Sequence, residues 1–148
     1  SDVCSSDLAC LLVLGTSLAL FAAVVVGRQF FEVDVPWRGL LAITLVTLLF
    51  AVFHACLTYG FAACGAPPAV SLGVPLVVLV GGYMLRSLAP LVEGTDDLRR
   101  LSPWEWALAE DPLAGDVSGG GLLLLVLLAV VAVVIGTVVV VRRDVHAP

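Results

Sequence analysis

Leu122 to Val141 read LLLLVLLAVVAVVIGTVVVV, twenty residues with no charge and one hydroxyl. As a helix rising about 1.5 Å per residue this run is about 30 Å long, the thickness of a bilayer's hydrocarbon core. It has no polar face with which to meet water. Three further stretches, 9–27, 39–64 and 69–92, have similar length and scarcely a charge. A mean hydropathy of +1.14 with 61% hydrophobic residues excludes a water-soluble domain. The pattern predicts an all-α fold, a polytopic membrane helix bundle with four transmembrane helices.

The charges lie mostly between the apolar runs. The net charge of −5 arises largely in 93–116, where Glu93, Asp96, Asp97, Glu105, Glu110, Asp111 and Asp116 outnumber Arg99 and Arg100. An acidic chain without a basic patch is not a nucleic-acid binder. All seven basic residues are Arg. A Walker A loop needs a Lys to reach the β- and γ-phosphates, so any ATP used here is bound by another polypeptide. Cys4, Cys10, Cys56 and Cys64 match no zinc spacing, and in apolar helices Cys acts as a small hydrophobe.

Ser1 to Leu8 resemble a translated sequencing-adapter remnant, and the natural chain is expected to continue upstream of Ala9. After the 9–27 span, Phe30, Phe31 and Trp37 suit the headgroup belt, and Pro36 marks a helix start. On the second span Thr44, Thr47, Ala51, His54, Thr58 and Ala62 recur at helical spacing. This stripe of small and polar residues reads as a packing face suited to interhelical hydrogen bonds. Gly65-Ala66-Pro67-Pro68 then forces an antiparallel hairpin. In the third span Pro75 is expected to bend the helix or loosen its first turns, and with Gly81 and Gly82 it forms a candidate hinge.

Within 93–120, Ser102 caps, Pro103 fits the first helical position and Glu105 completes a capping box. A short helix is expected over about 103–110, stopping before Pro112. Leu101, Trp104 and Leu108 share one face with Glu105 away from it, which predicts an interfacial helix on the membrane surface, held by Trp104 and Trp106. Gly119-Gly120-Gly121 lead into the last span. Arg142 and Arg143 after that span favour a cytoplasmic C-terminus. Counting back puts 28–38 and 93–120 outside, although Arg28, Arg38, Arg99 and Arg100 then break the charge rule.

Ser87-Leu88-Ala89-Pro90, Leu101-Ser102-Pro103-Trp104-Glu105-Trp106, Asp111-Pro112-Leu113, the Gly run, the last span and Arg142-Arg143-Asp144-Val145 follow one another in a distinctive order. This series resembles the C-terminal end of ABC-2 type transporter permeases, over about residues 80–146. The resemblance implies that the four spans are the third to sixth of a six-span subunit. It implies an external short helix before the last span and an Arg-Arg-Asp tail in the cytoplasm of a plasma-membrane protein. The implied partners are an ABC ATP-binding subunit, a second permease subunit in a homo- or heterodimer, and the lipid bilayer. The chain itself would carry no cofactor, with ATP on the partner subunit. His54 and Arg86 depart from the family's usual apolar spans.

His54 either lines a proton or substrate route or is a neutral imidazole bonded to the adjoining helix. Arg86 either meets an anionic substrate, snorkels to the interface or pairs with Glu93. No Ser/His pair with a G-x-S-x-G motif and no Glu within the spans supports an intramembrane protease, and His and Cys are scattered, so neither catalysis nor a metal site is expected. The leading expectation is the membrane-spanning subunit of an ABC-2 type exporter. The alternative is a structural or anchoring subunit of another membrane complex.

Overall fold

The computed structural model describes residues 36–91, 96–108 and 110–144, with scattered positions between Gly15 and Gly27 that are all helical. The remainder of the expected 9–27 span, the 28–35 connection and Glu93 lie outside the described residues. The described residues are helical with short connections and contain no strand. Three helices are long and apolar enough to cross a membrane: Trp37–Ala63 (α1), Pro68–Leu88 (α2) and Gly119–Asp144 (α5). Between α2 and α5 lie a 3-10 turn, Ala89–Leu91, and two short helices, Asp96–Arg99 (α3) and Pro103–Leu108 (α4).

Helix boundaries follow local chemistry. α1 starts after the extended Pro36, whose carbonyl accepts from Leu40 N at 3.2 Å. It ends in a Schellman motif: Ala66 N donates to Phe61 O at 3.1 Å and Gly65 N to Ala62 O at 2.9 Å. Gly65 sits at φ 82°, the left-handed conformation that closing motif requires. α2 gives way to the 3-10 turn at Ala89, which keeps α geometry at φ −55° and ψ −40°; the ladder stops there because Pro90 has no N–H to continue it. Gly119, Gly120 and Gly121 are the first turn of α5 and not a lead into it. Ser118 caps them, its Oγ accepting from Gly121 N at 3.3 Å.

α1 and α5 run in the same direction and cross at small residues. A Cβ on Gly60 would lie 2.9 Å from Ala132 O, and one on Gly136 would lie 3.0 Å from Ala63 Cβ and 3.3 Å from Gly60 Cα. Lipid tails are as apolar as Leu, so helices gain by letting backbones approach, and small residues permit that. α2 returns antiparallel beside α1. Val46, Phe50 and Phe53 of α1, Ala107 of α4, and Leu125 and Ala129 of α5 form the buried core. The helix polarities therefore gather Trp37, α3, α4 and Gly119 at one end of the bundle. The 64–67 turn and Arg142–Arg143 occupy the other.

Pro75 is buried inside α2, and the helix continues unbroken through it from Pro68 to Leu88. The expected loosening is absent, although Pro75 has no N–H to give the Ser71 carbonyl one turn back. The short helix ends at Leu108, two residues before the expected limit, and α3 was not anticipated.

Candidate functional site

The polar chemistry of the described residues converges where α4 folds back onto α2. Ser102 is fully buried, and its Oγ donates to Gly82 O at 2.7 Å. The same oxygen accepts from Trp104 N at 3.2 Å, which caps α4 at its second residue. Approach this close requires a glycine: a Cβ on Gly82 would meet Pro103 Cδ at 3.1 Å, Ser102 Oγ at 3.3 Å and Trp104 Cδ1 at 3.3 Å. Gly82 is thus a docking point, whereas Gly81 beside it faces open space. Neither glycine interrupts the helix, so the geometry offers no break in α2 at the expected hinge.

Trp104 is turned inward. Its Nε1 donates to Leu79 O at 2.8 Å, and its ring stands 4.6 Å from Phe50 and 5.7 Å from Tyr83, centroid to centroid. It pins α4 between α1 and α2. Trp106 Nε1 donates to Arg100 O at 2.6 Å. Both indoles give their donors to backbone carbonyls, Trp104 across to α2 and Trp106 in a bond at an exposed position. Pro103 is buried, and Leu101, expected on the membrane-facing side with Trp104 and Leu108, is 66% exposed.

Arg86 reaches across from α2 to the same helix. Its Nη1 donates to Trp104 O at 2.8 Å and its Nη2 to Leu108 O at 2.9 Å. The guanidinium therefore bridges the second and last residues of α4, and at Leu108 it satisfies an orphan carbonyl where a cation also meets the helix dipole favourably. Its Nε lies 3.6 Å from Glu105 Oε2, and Arg99 Nη2 donates to Glu105 Oε1 at 2.7 Å. Glu105 consequently does not close a capping box: Ser102 N donates to Arg99 O at 3.0 Å instead. The carboxylate was expected to face away; its side chain is 13% exposed because two arginines draw it in. Spacing alone could not show Arg86 as a partner, since it lies some twenty residues away in sequence from the groups it binds.

The connection to α5 packs around a turn. Asp111 Oδ1 accepts from Leu113 N at 3.1 Å, Gly115 takes φ 98°, and Leu113 O presses on Gly39 so closely that no Cβ fits there. Likewise Trp106 O abuts Gly121. α4 is held against all three long helices.

The expected stripe on α1 lies beside the buried face and not on it. Gly39, Leu40, Val46, Phe50, Phe53 and Gly60 are the buried residues, while Thr44, Thr47, Ala51, His54 and Thr58 are half-buried and Ala62 is exposed. The stripe's polar groups turn to their own backbone. Thr44 donates to Leu40 O at 2.8 Å, Thr47 to Ile43 O at 2.8 Å and Thr58 to His54 O at 2.9 Å. His54 Nδ1 pairs with Phe50 O at 2.9 Å, one turn back on its own helix and not on the adjoining one. A carbonyl partner makes Nδ1 the protonated nitrogen, which leaves Nε2 as a lone-pair acceptor, and that atom is buried with no partner. Phe50 and Phe53 flank the imidazole at 4.6 and 5.0 Å.

Arg142 and Arg143 are exposed at the end of α5 opposite α4. Among the described residues no three His, Cys, Asp or Glu side chains gather as metal ligands. No protein-family model, curated protein or solved structure matches this chain.

Proposed function

We propose that the chain is part of the membrane-spanning subunit of an ABC-2 type transporter, an exporter driven by a separate ATP-binding subunit. One observation carries this reading. The helix opened by Ser102-Pro103-Trp104 folds back onto α2 at the end of the bundle opposite Arg142 and Arg143. That arrangement supports the resemblance, which implies a short external helix before the last span and a cytoplasmic basic tail.

In this reading residues 9–27 supply a fourth span, and Arg142–Arg143 lie on the cytoplasmic side beside the ATP-binding partner. α4 lies on the external side as a plug docked between helices. Ser102, Trp104 and Arg86 tie it to α2 by four hydrogen bonds, so α2 and α4 move together when the partner closes. A second permease subunit completes the path. The chain contributes no catalytic group, and with no Lys it has no phosphate loop of its own.

The test is reconstitution in liposomes with the ATP-binding protein encoded beside this chain. ATP hydrolysis by that partner should rise when the chain is present, and Ser102→Ala should weaken the coupling without dissociating the pair. A partner whose hydrolysis ignores the chain, or the lack of any such neighbour, would favour the anchoring-subunit alternative.

A further inference from the structure

A blind, apolar cleft of about 590 Å³ opens sideways from the bundle between α2 and α5, with α1 as its floor. Phe53 and Cys64 mark the ends of that floor, Val78 and Leu85 line one wall, Val131 the other, and Trp106 of α4 helps to roof it. Eleven residue steps from Phe53 to Cys64 amount to about 16 Å, roughly half of the ~30 Å hydrocarbon core. The cleft is thus as deep as one leaflet. Its lining offers a ligand no charge.

The open foot of the cleft is basic. Arg143 Nη1 lies 2.7 Å from the place a Cβ on Gly65 would take, immediately beside Cys64. Arg142 precedes it, and Asp144 follows in sequence, leaving one net positive charge in the triplet. The described carboxylates, Asp97, Glu105, Glu110, Asp111 and Asp116, all belong to the α3, α4 and 110–118 region at the opposite end.

We infer that the cleft holds one acyl chain of an anionic phospholipid from the leaflet that carries Arg143. The guanidinium takes the phosphate and the chain's methyl end reaches Trp106. A tail matches the cleft in length and polarity, and a negative headgroup complements the charge at its foot. At the opposite end α4 roofs the cleft, and Arg38, Arg86, Arg99 and Arg100 stand among the five carboxylates, so that end carries no net positive charge to favour the headgroup. The inference goes beyond the transporter reading and requires only that the three long helices lie in a bilayer.

Native mass spectrometry of the delipidated chain, given equal phosphatidylglycerol and phosphatidylcholine, tests it. One phosphatidylglycerol should be retained preferentially. Arg143→Gln should cut that preference by about fivefold, the worth of one basic residue at an anionic surface. Val131→Trp, which fills the wall at a residue 43% exposed, should expel both lipids while the fold survives. Phosphatidylglycerol brominated at the chain terminus should quench the emission component lost in Trp106→Phe, and bromine near the headgroup should not. Equal retention of both lipids by the native chain and Arg143→Gln overturns the headgroup assignment. Quenching that ignores bromine position overturns the chain's path. Lipid entry only after residues 9–27 are removed, or a Cys64 disulfide dimer that excludes lipid, would assign the cleft to this chain or to a second copy.

Discussion

The Ser102 hydroxyl and the Gly82 carbonyl meet at 2.7 Å, tying a six-residue helix to the interior of a membrane-length one. The same oxygen caps that helix through Trp104 N. Ser102→Ala therefore removes two bonds and leaves a buried N–H without its cap. Hydrogen bonds between helices in membranes average about 0.6 kcal/mol with a ceiling near 1.7, and cap loss typically costs about 1 kcal/mol. A loss of about 1–2 kcal/mol is expected in thermal unfolding in detergent. Unchanged stability would show that α4 is held without Ser102.

Gly81 and Gly82 should respond in opposite directions. Gly82→Val pushes into Pro103, Ser102 and Trp104, and overpacking of this kind costs about 1–3 kcal/mol. Gly81→Ala meets nothing within 4 Å and should stabilise α2 by up to about 1 kcal/mol through helix propensity. Trypsin reports the difference, because Arg100 is exposed and loosening of α4 quickens cleavage there. Two hinge glycines would instead respond alike.

The long helices were legible because apolar length is a property of composition, and bilayer thickness sets the only scale that matters. The start of α4 was legible for a local reason: Ser102 and Pro103 act within one turn. What the sequence hid was partnership at a distance. Arg86 looked like an anomaly in an apolar run until α4 brought two carbonyls and Glu105 to it. The threonine stripe misled because a hydroxyl in a helix can satisfy itself on the carbonyl four residues back, so polarity need not face a neighbour. The real contact face is marked by Gly60 and Gly136, two glycines in separate runs whose pairing no local pattern reveals.

That pairing makes its own prediction. Gly60→Val drives a branched side chain into the Ala132 backbone and should separate α1 from α5, with a loss of about 1–3 kcal/mol. Gly73→Val lies in open space and should be neutral or stabilising by about a few tenths of a kcal/mol, the difference in helix propensity. Cross-linking by a bifunctional thiol reagent that spans the length of the tyrosine ring, between cysteines placed at Tyr59 and Thr137 whose native oxygens lie 3.4 Å apart, should fail in the Gly60 variant and persist in the Gly73 one.

The two ends of the bundle should face different compartments. In a background without native cysteines, Leu113→Cys and Ala66→Cys should be modified by an impermeant reagent from opposite sides of sealed vesicles. Under the transporter reading, position 113 is reached from outside. Modification of both from one side would mean that α2 does not cross.

Arg86 and Glu105 differ in how much each can lose. Arg86 holds two carbonyls as well as the 3.6 Å ionic contact, while Glu105 keeps Arg99 at 2.7 Å if Arg86 is removed. Glu105→Gln should therefore cost little at Arg86, whose two carbonyl bonds remain. Arg86→Gln should cost more, about 1–2 kcal/mol, because two carbonyls of α4 lose a charged donor. Arg86→Lys keeps the charge and the ionic contact but cannot fork across two carbonyls, so it should behave more like Gln than like Arg. A double-mutant cycle separates the parts. If the carbonyl bonds dominate, the coupling between Arg86→Gln and Glu105→Gln is a minor fraction of the Arg86 effect. A coupling as large as the whole Arg86 effect would instead make the ion pair the element that holds α4 on α2.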